Sequence, residues 1–283
     1  MQPTIHLVDG SGGGRGKSLF TCAMAHYSQV HQYPVQLFDA DEAHHYNVKK
    51  FYADAIALIL SEIEYQDLDR IWNAVEQSLI PVVNLPAGSH RFVSDWFKRT
   101  GLLELTQESE AIRLVKWFLC NPSPQTLTLF EQSLDDYSRY ADRVTHVFVR
   151  NLHLATDRQW REFTSTLETA KSAAGKPWQS VFESPQVKVI DFPKFPPYER
   201  DRWESLGWTL AKAIAPSDQF HLLERQRIAT FLKHFAQAID STQTWDNTPT
   251  QSETQKRLQA VQLQEKAQSK KPATKGFAPS KFK

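Results

Sequence analysis

The sequence predicts an α/β fold: a mostly parallel, doubly wound sheet with helices on both faces, followed by a disordered C-terminal tail. Three observations lead there. Short apolar runs alternate with longer amphipathic segments through residues 4–240. The runs are apolar almost throughout, not at every second position, as strands covered on both faces require. Beyond about residue 241 the composition turns to Gln, Thr, Ser, Lys and Pro, and such a segment buries too little apolar surface to offset its ordering entropy.

The elements follow in order. TIHLVD (4–9) is a short apolar run bounded by glycine, hence a buried strand. Leu19, Cys22, Ala23 and Tyr27 give residues 17–30 helical spacing, and VQLFDAD (35–41) is a second strand. Phe51, Ile56, Ile59, Ile63, Ile71, Val75 and Leu79 recur at helical intervals, which predicts helix over 48–79. IPVVNLPAG (80–88) is a strand running into a Pro/Gly turn. AIRLVKWFLCNP (111–122) and VTHVFVRN (144–151) are strands on either side of a helical stretch at 125–139. Residues 156–174 open with a Thr N-cap and the acid Asp157. VKVIDFP (187–193) is the sixth strand, and 199–214 and 218–239 are amphipathic helices. A short helix fits 253–268. The expected organisation is one domain over 1–240 and a tail over 241–283.

A chain of 283 residues needs no staples for its core. Its two cysteines, Cys22 and Cys120, have no paired spacing. This argues against a disulfide scaffold or a zinc site and fits a reducing cytoplasm. No apolar run reaches the roughly 18 residues of a membrane span, and no export signal is visible. The net charge of +1 hides an asymmetry. The tail holds eight Lys or Arg against three acids, and the rest holds 25 against 29. A basic tail on an acidic body suits an anionic partner such as DNA, or serves as a solubilising linker.

The chemistry concentrates in GSGGGRGKS (10–18). A phosphate needs dense donors and no obstructing side chains. Glycines let backbone N–H groups converge, a helix N-terminus adds partial positive charge, and a lysine reaches the outer phosphates. Gly12, Gly13, Gly14, Arg15 and Gly16 supply the cradle, Lys17 the amine, and Ser18 a hydroxyl suited to Mg²⁺. Ser11 stands where the strict pattern has glycine. Asp39 and Asp41 of FDAD lie at the carboxyl edge of the second strand, where ligands bind in such sheets. There they can hold Mg²⁺ through water or orient an attacking water.

GSGGGRGKS, FDAD, NLPAG and FLCNPSPQTL, in this order, resemble the ParA/MinD group of P-loop ATPases. More narrowly they are similar to TraL/MobD-type members encoded in conjugation and mobilisation regions. The resemblance covers residues 4 to about 215. It implies an ATP-dependent switch that hydrolyses ATP to ADP and phosphate, positions DNA, proteins or a complex, and forms a nucleotide-dependent homodimer. It implies a base contact for Asn151 of VFVRN and an adenine-side loop near Phe192 and Pro193. On this reading Lys17 holds the β/γ-phosphates and Asp41 orients the water. Ser18 holds the metal, and Asp39 and Asn84 meet it through water. Two positions depart from the family. Gly12 stands where a lysine reaches across the dimer, with Arg15 nearby, and Asn84 stands where an acid begins the D-x-P-x-G turn. Three other functions stay open. They are a non-hydrolysing adaptor acting as an accessory factor in DNA transfer or partition, a small-molecule kinase, and a DNA-binding protein with a vestigial loop; DNA or a relaxosome or partition protein is the partner expected for the tail.

Other features have plainer readings. His44 and His45 are adjacent and point apart, as solvated loop histidines do. The eight tryptophans show no repeat, and most are expected to be in the core or half-buried. Arg91, Lys98 and Arg99 fit a solvated helix face, and Cys22 a small core residue.

Overall fold

The computed structural model describes residues 3–41, 47–61, 65–105, 112–246, 250, 252–256 and 259. Among the described residues seven strands form one sheet in the order β3-β2-β4-β1-β5-β6-β7. They are β1 (Thr4–Gly10), β2 (Val35–Asp39), β3 (Ile56–Ala57), β4 (Ile80–Asn84), β5 (Arg113–Cys120), β6 (Val144–Asn151) and β7 (Val187–Phe192). Every pairing is parallel. The order reverses at β1, and the crevice for a ligand opens at the carboxyl ends of strands around such a point.

Alternate residues of each strand feed opposite faces. From β1, Val8 joins the core under α1 (Lys17–Val30), α8 (Leu210–Ile214) and α9 (Leu222–Ser241). Ile5 and Leu7 join the core under α2 (Gln66–Glu76) and α3 (His90–Thr100). Phe118 and Phe148 meet α4 (Pro124–Asp136), α5 (Asp157–Thr169) and α6 (Trp178–Phe182). The α/β class read from the sequence is therefore the observed one.

Three expectations change. The stretch 48–79 is not one helix. A single 3-10 turn covers Val48–Lys50, Ile56 and Ala57 pair with Phe38 and Asp39 as an edge strand, and α-helix begins at Gln66. The spacing is real at Ile71 and Val75, which α2 buries together, and accidental before it, where the apolar residues serve different cores. Phe51 stacks on Trp203 at 4.0 Å, whereas Ile56 packs on the opposite face of the sheet. The expected helix over 199–214 breaks at Gly207, whose φ of 60° ends α7 (Pro197–Leu206) in the left-handed region. The helix expected over 156–174 ends at Thr169, where Ala170 turns extended. Its Thr156 N-cap is present as a capping box with Gln159.

The body continues past residue 241. Trp245 stacks on His6 at 4.2 Å and on Tyr33 at 5.2 Å, closing the end of the sheet away from the strand tips. Six of the eight tryptophans, Trp96, Trp117, Trp160, Trp178, Trp203 and Trp245, are buried, as expected. Most of the tail, most of the helix expected over 253–268, and His44 and His45 lie outside the described residues. Among the described residues no helix is long and apolar enough to cross a membrane.

Candidate functional site

The glycine loop joins the tip of β1 to the start of α1, beside the central crevice. Gly10 is confined by close approach: a Cβ there would lie 2.6 Å from the Leu119 carbonyl oxygen. The Ser11 N–H donates to that same oxygen at 2.9 Å, fixing the loop entrance to β5. Gly16, the N-cap of α1, has φ 85° and ψ 18°. A Cβ on it would lie 2.6 Å from Asn151 Nδ2. Only glycine suits that position. Around Gly13 and Gly14 a Cβ would meet nothing within 4 Å, so the loop opens outward there. No acid occupies the first turn of α1, which leaves its positive end uncompensated.

Lys17 is buried, and its Nζ donates to the Gly12 carbonyl at 3.1 Å. Burial lowers its pKa, while Asp9 and Asp41 pull it upward. The Arg15 side chain lies along Gly12, with Nε 3.7 Å from where a Gly12 Cβ would stand. That Nε is buried with no hydrogen-bond partner among the described residues.

The strand register brings the second group together. Asp39 of β2 pairs with Asn84 of β4, which pairs with Val8 of β1. Asn84 Nδ2 donates to Asp39 Oδ1 at 2.9 Å and to Ser18 Oγ at 3.4 Å. Asp39 Oδ1 also accepts the Asp41 N–H at 3.2 Å, and Oδ2 accepts the Lys49 N–H at 3.1 Å. Asp39 and Asp41 are both buried. Asn84 Oδ1 is buried with no hydrogen-bond partner among the described residues. An orphaned amide oxygen beside a carboxylate and a hydroxyl is an all-oxygen set, the kind that Mg²⁺ or a water bound to it takes. Among the described residues no cluster of three or more His, Cys, Asp or Glu assembles.

Asn151 ends β6 opposite Phe192 of β7. Its Nδ2 donates to the Arg15 carbonyl at 2.8 Å, and its Oδ1 accepts the His153 N–H at 3.0 Å. Asn151 therefore latches the glycine loop to the sheet. Pro193 follows Phe192, half-buried, just past the strand end.

Sequence reasoning missed Asp9 and Lys116. Asp9 Oδ1 accepts the Gly10 N–H at 2.8 Å, and Oδ2 meets Lys116 Nζ at 3.1 Å. The signal was present in RLVKWFLC, where one lysine interrupts a buried strand. With Ser11, Gly12, Gly88 and His90, Asp9 lines a cavity of about 230 Å³ between the loop and α3.

The remaining candidates follow their plainer readings. Burial pushes the Cys22 thiol well up, away from nucleophilic use. Arg91, Lys98 and Arg99 are exposed on α3, with Lys98 4.0 Å from Asp136 and Arg99 over the Tyr65 ring.

No family model matches the chain, and no curated protein matches it. Among solved structures it is similar to the MinD cell division protein of Aquifex aeolicus, at 13% identity over 82% of this chain and 95% of that one, with a TM-score of 0.45. It is similar to the septum site-determining protein MinD complexed with Mg-ADP from Pyrococcus horikoshii OT3, at 14% identity over 86% and 98%, with a TM-score of 0.45. A nucleotide-binding protein in complex with ADP from Archaeoglobus fulgidus aligns at 13% identity over 77% and 90%, with a TM-score of 0.43. Likenesses this distant leave the site to be argued from its own residues.

Proposed function

We propose that this chain is a cytoplasmic ATP-binding switch protein of the ParA/MinD type that hydrolyses ATP slowly to ADP and phosphate. One observation carries the reading. Lys17 is turned inward over an open glycine loop at a helix N-terminus, and Ser18, Asp39 and Asn84 converge beside it. That is an anion cradle next to an oxygen-rich cation position.

Each residue then has a role. Gly12, Gly13, Gly14, Arg15 and Gly16 present backbone N–H groups to the phosphates. Lys17 leaves the Gly12 carbonyl for the β/γ-phosphates. Ser18 holds Mg²⁺ directly, and Asp39 and Asn84 meet it through water. Bound there, the ion neutralises charge on the transferring phosphoryl group. Asp41 orients the attacking water. Asn151 and Pro193 flank the base, Asn151 keeping the loop in place until the base arrives. The switch domain, expected over 1–240, also takes in the packed residues through Trp245, and the basic tail follows. The sequence resemblance supports work in plasmid mobilisation, conjugal transfer or partition, with DNA or a relaxosome or partition protein as the tail's partner. It also supports a homodimer formed on nucleotide.

A second reading, a non-hydrolysing adaptor, is favoured by Asn84. The amide can hydrogen-bond a metal-bound water but brings no negative charge to it. The kinase reading finds less support, because Arg158 and Arg161 are exposed on α5 and Arg158 pairs with Glu162 at 2.7 Å.

The test is calorimetric titration with ADP and a non-hydrolysable ATP analogue, with and without Mg²⁺, beside Lys17→Ala. The expected result is micromolar, Mg²⁺-dependent binding that the variant loses. Full affinity in Lys17→Ala, or no binding by the parent at millimolar nucleotide, refutes it. Phosphate release above background separates the switch from the adaptor.

A further inference from the structure

Lys116 lies in the middle of β5, 1% exposed, on the face opposite α1. Its Nζ meets Asp9 Oδ2 at 3.1 Å, donates to Ser133 Oγ at 2.8 Å, and stands 5.1 Å from the centre of the Tyr137 ring. A buried ion pair is seldom a net gain in stability over well-packed apolar side chains. Its position suggests another use. Asp9 is the last acid before the glycine loop, and its second oxygen holds the Gly10 N–H. It borders the cavity shared with Ser11 and Gly12, and its charge acts on Lys17. Ser11 Oγ, also buried there, has no hydrogen-bond partner among the described residues. An uncompensated carboxylate at this place repels an incoming polyphosphate and competes with it for Lys17.

We propose that Lys116 is a positioning residue for the phosphate loop: its ammonium cancels the Asp9 carboxylate, so that Asp9 can pin the loop entrance without opposing a bound polyphosphate. This rests on the nucleotide reading above. The loop entrance then presents the N–H groups of the cradle against a neutral floor. Lys17 is left free to exchange the Gly12 carbonyl for the outer phosphate. Ser133 and the Tyr137 ring hold the Lys116 ammonium in place from the α4 side.

The test uses the full chain and three variants: Lys116→Met, Asp9→Asn, and the two combined. Affinities for Mg–ADP and a non-hydrolysable Mg–ATP analogue are measured by calorimetry, and folding by circular dichroism. Lys116→Met should weaken the triphosphate analogue about tenfold or more, and ADP by less, because the outer phosphate carries the added charge. Asp9→Asn should bind the analogue at least as well as the parent. The double variant should return to within about threefold of the parent, since it removes both charges. A double variant as weak as Lys116→Met overturns the inference, as does a Lys116→Met protein that binds both nucleotides like the parent. If Lys116→Met does not fold, the double variant decides alone. Parent-like binding supports the inference. A tenfold loss, or failure of the double variant to fold, makes the pair structural and overturns it. No nucleotide binding by the parent removes the reading on which the inference stands, and so overturns both.

Discussion

Gly16→Ala is the sharpest perturbation of the loop. The residue sits at φ 85°, and the added methyl would lie 2.6 Å from Asn151 Nδ2. Two costs follow. The left-handed backbone costs a non-glycine residue about 1–2 kcal/mol. The methyl also displaces the Asn151 amide from the Arg15 carbonyl, and a buried hydrogen-bonding group left without its partner costs about 1–3 kcal/mol. The expected destabilisation is therefore about 2–5 kcal/mol. Asn151→Ala alone should lose about 1–3 kcal/mol, because it gives up the bonds to Arg15 and His153. The decisive measurement is the double-mutant cycle in urea. If the Gly16 methyl acts partly by evicting Asn151, removing Asn151 first abolishes that share. The double variant should then be more stable than the summed singles predict by about 1–2 kcal/mol. Additivity to within about 0.5 kcal/mol would refute the latch, as would a neutral Gly16→Ala.

Three further outcomes are expected. Trp245→Ala should cost about 3–5 kcal/mol in urea unfolding, and truncation after residue 240 should cost about as much. His6 and His146 both titrate at about 3, through burial first and then through Arg113 and Lys116 respectively. Above pH 6.5 they are neutral folded and unfolded alike; as pH falls from about 6.5 toward 3 only the unfolded chain takes up their protons. Stability should therefore drop by up to about 1.4 kcal/mol per pH unit for each of the two, with a shallower urea-midpoint profile in His146→Asn. Asn84→Asp replaces the donor facing Asp39 with a second carboxylate. It should lower stability by about 1–3 kcal/mol without metal and recover with millimolar Mg²⁺; a loss that Mg²⁺ leaves untouched would count against the cation position.

The site was legible where chemistry and chain order coincide. GSGGGRGKS names its own geometry, because glycines before Lys-Ser have few uses at a strand-to-helix turn. FDAD was legible as a strand end. The sequence did not say that Asp39 and Asn84 lie side by side, because that depends on the β2–β4 register between residues 45 positions apart. Nor did it pair Asp9 with Lys116, which needs β1 and β5 as neighbours across more than 100 residues. The stretch 48–79 misled for a related reason. Helical periodicity reports one face, whereas Phe51 and Ile56 serve cores on opposite sides of the sheet. Trp245 was readable as a core side chain, yet nothing local ties it to His6 at the far end of β1.

The charge layout at the strand ends explains how this fold can stand before any ligand arrives. Lys17 has a carbonyl partner in Gly12, and Asp9 has Lys116. Asp39 is held by two backbone N–H groups and the Asn84 amide. A carboxylate at position 84 would leave two buried acids facing one another, a geometry in which one of them stays protonated or a cation must sit between. The amide removes that demand and leaves an oxygen unpaired instead. The Asn84 amide, which brings no negative charge next to Asp39, thus makes the metal-free site stable. Under the proposed function the price of that stability is a slow reaction. Nucleotide then takes the Lys17 amine from the Gly12 carbonyl, and binding needs little rebuilding of the loop.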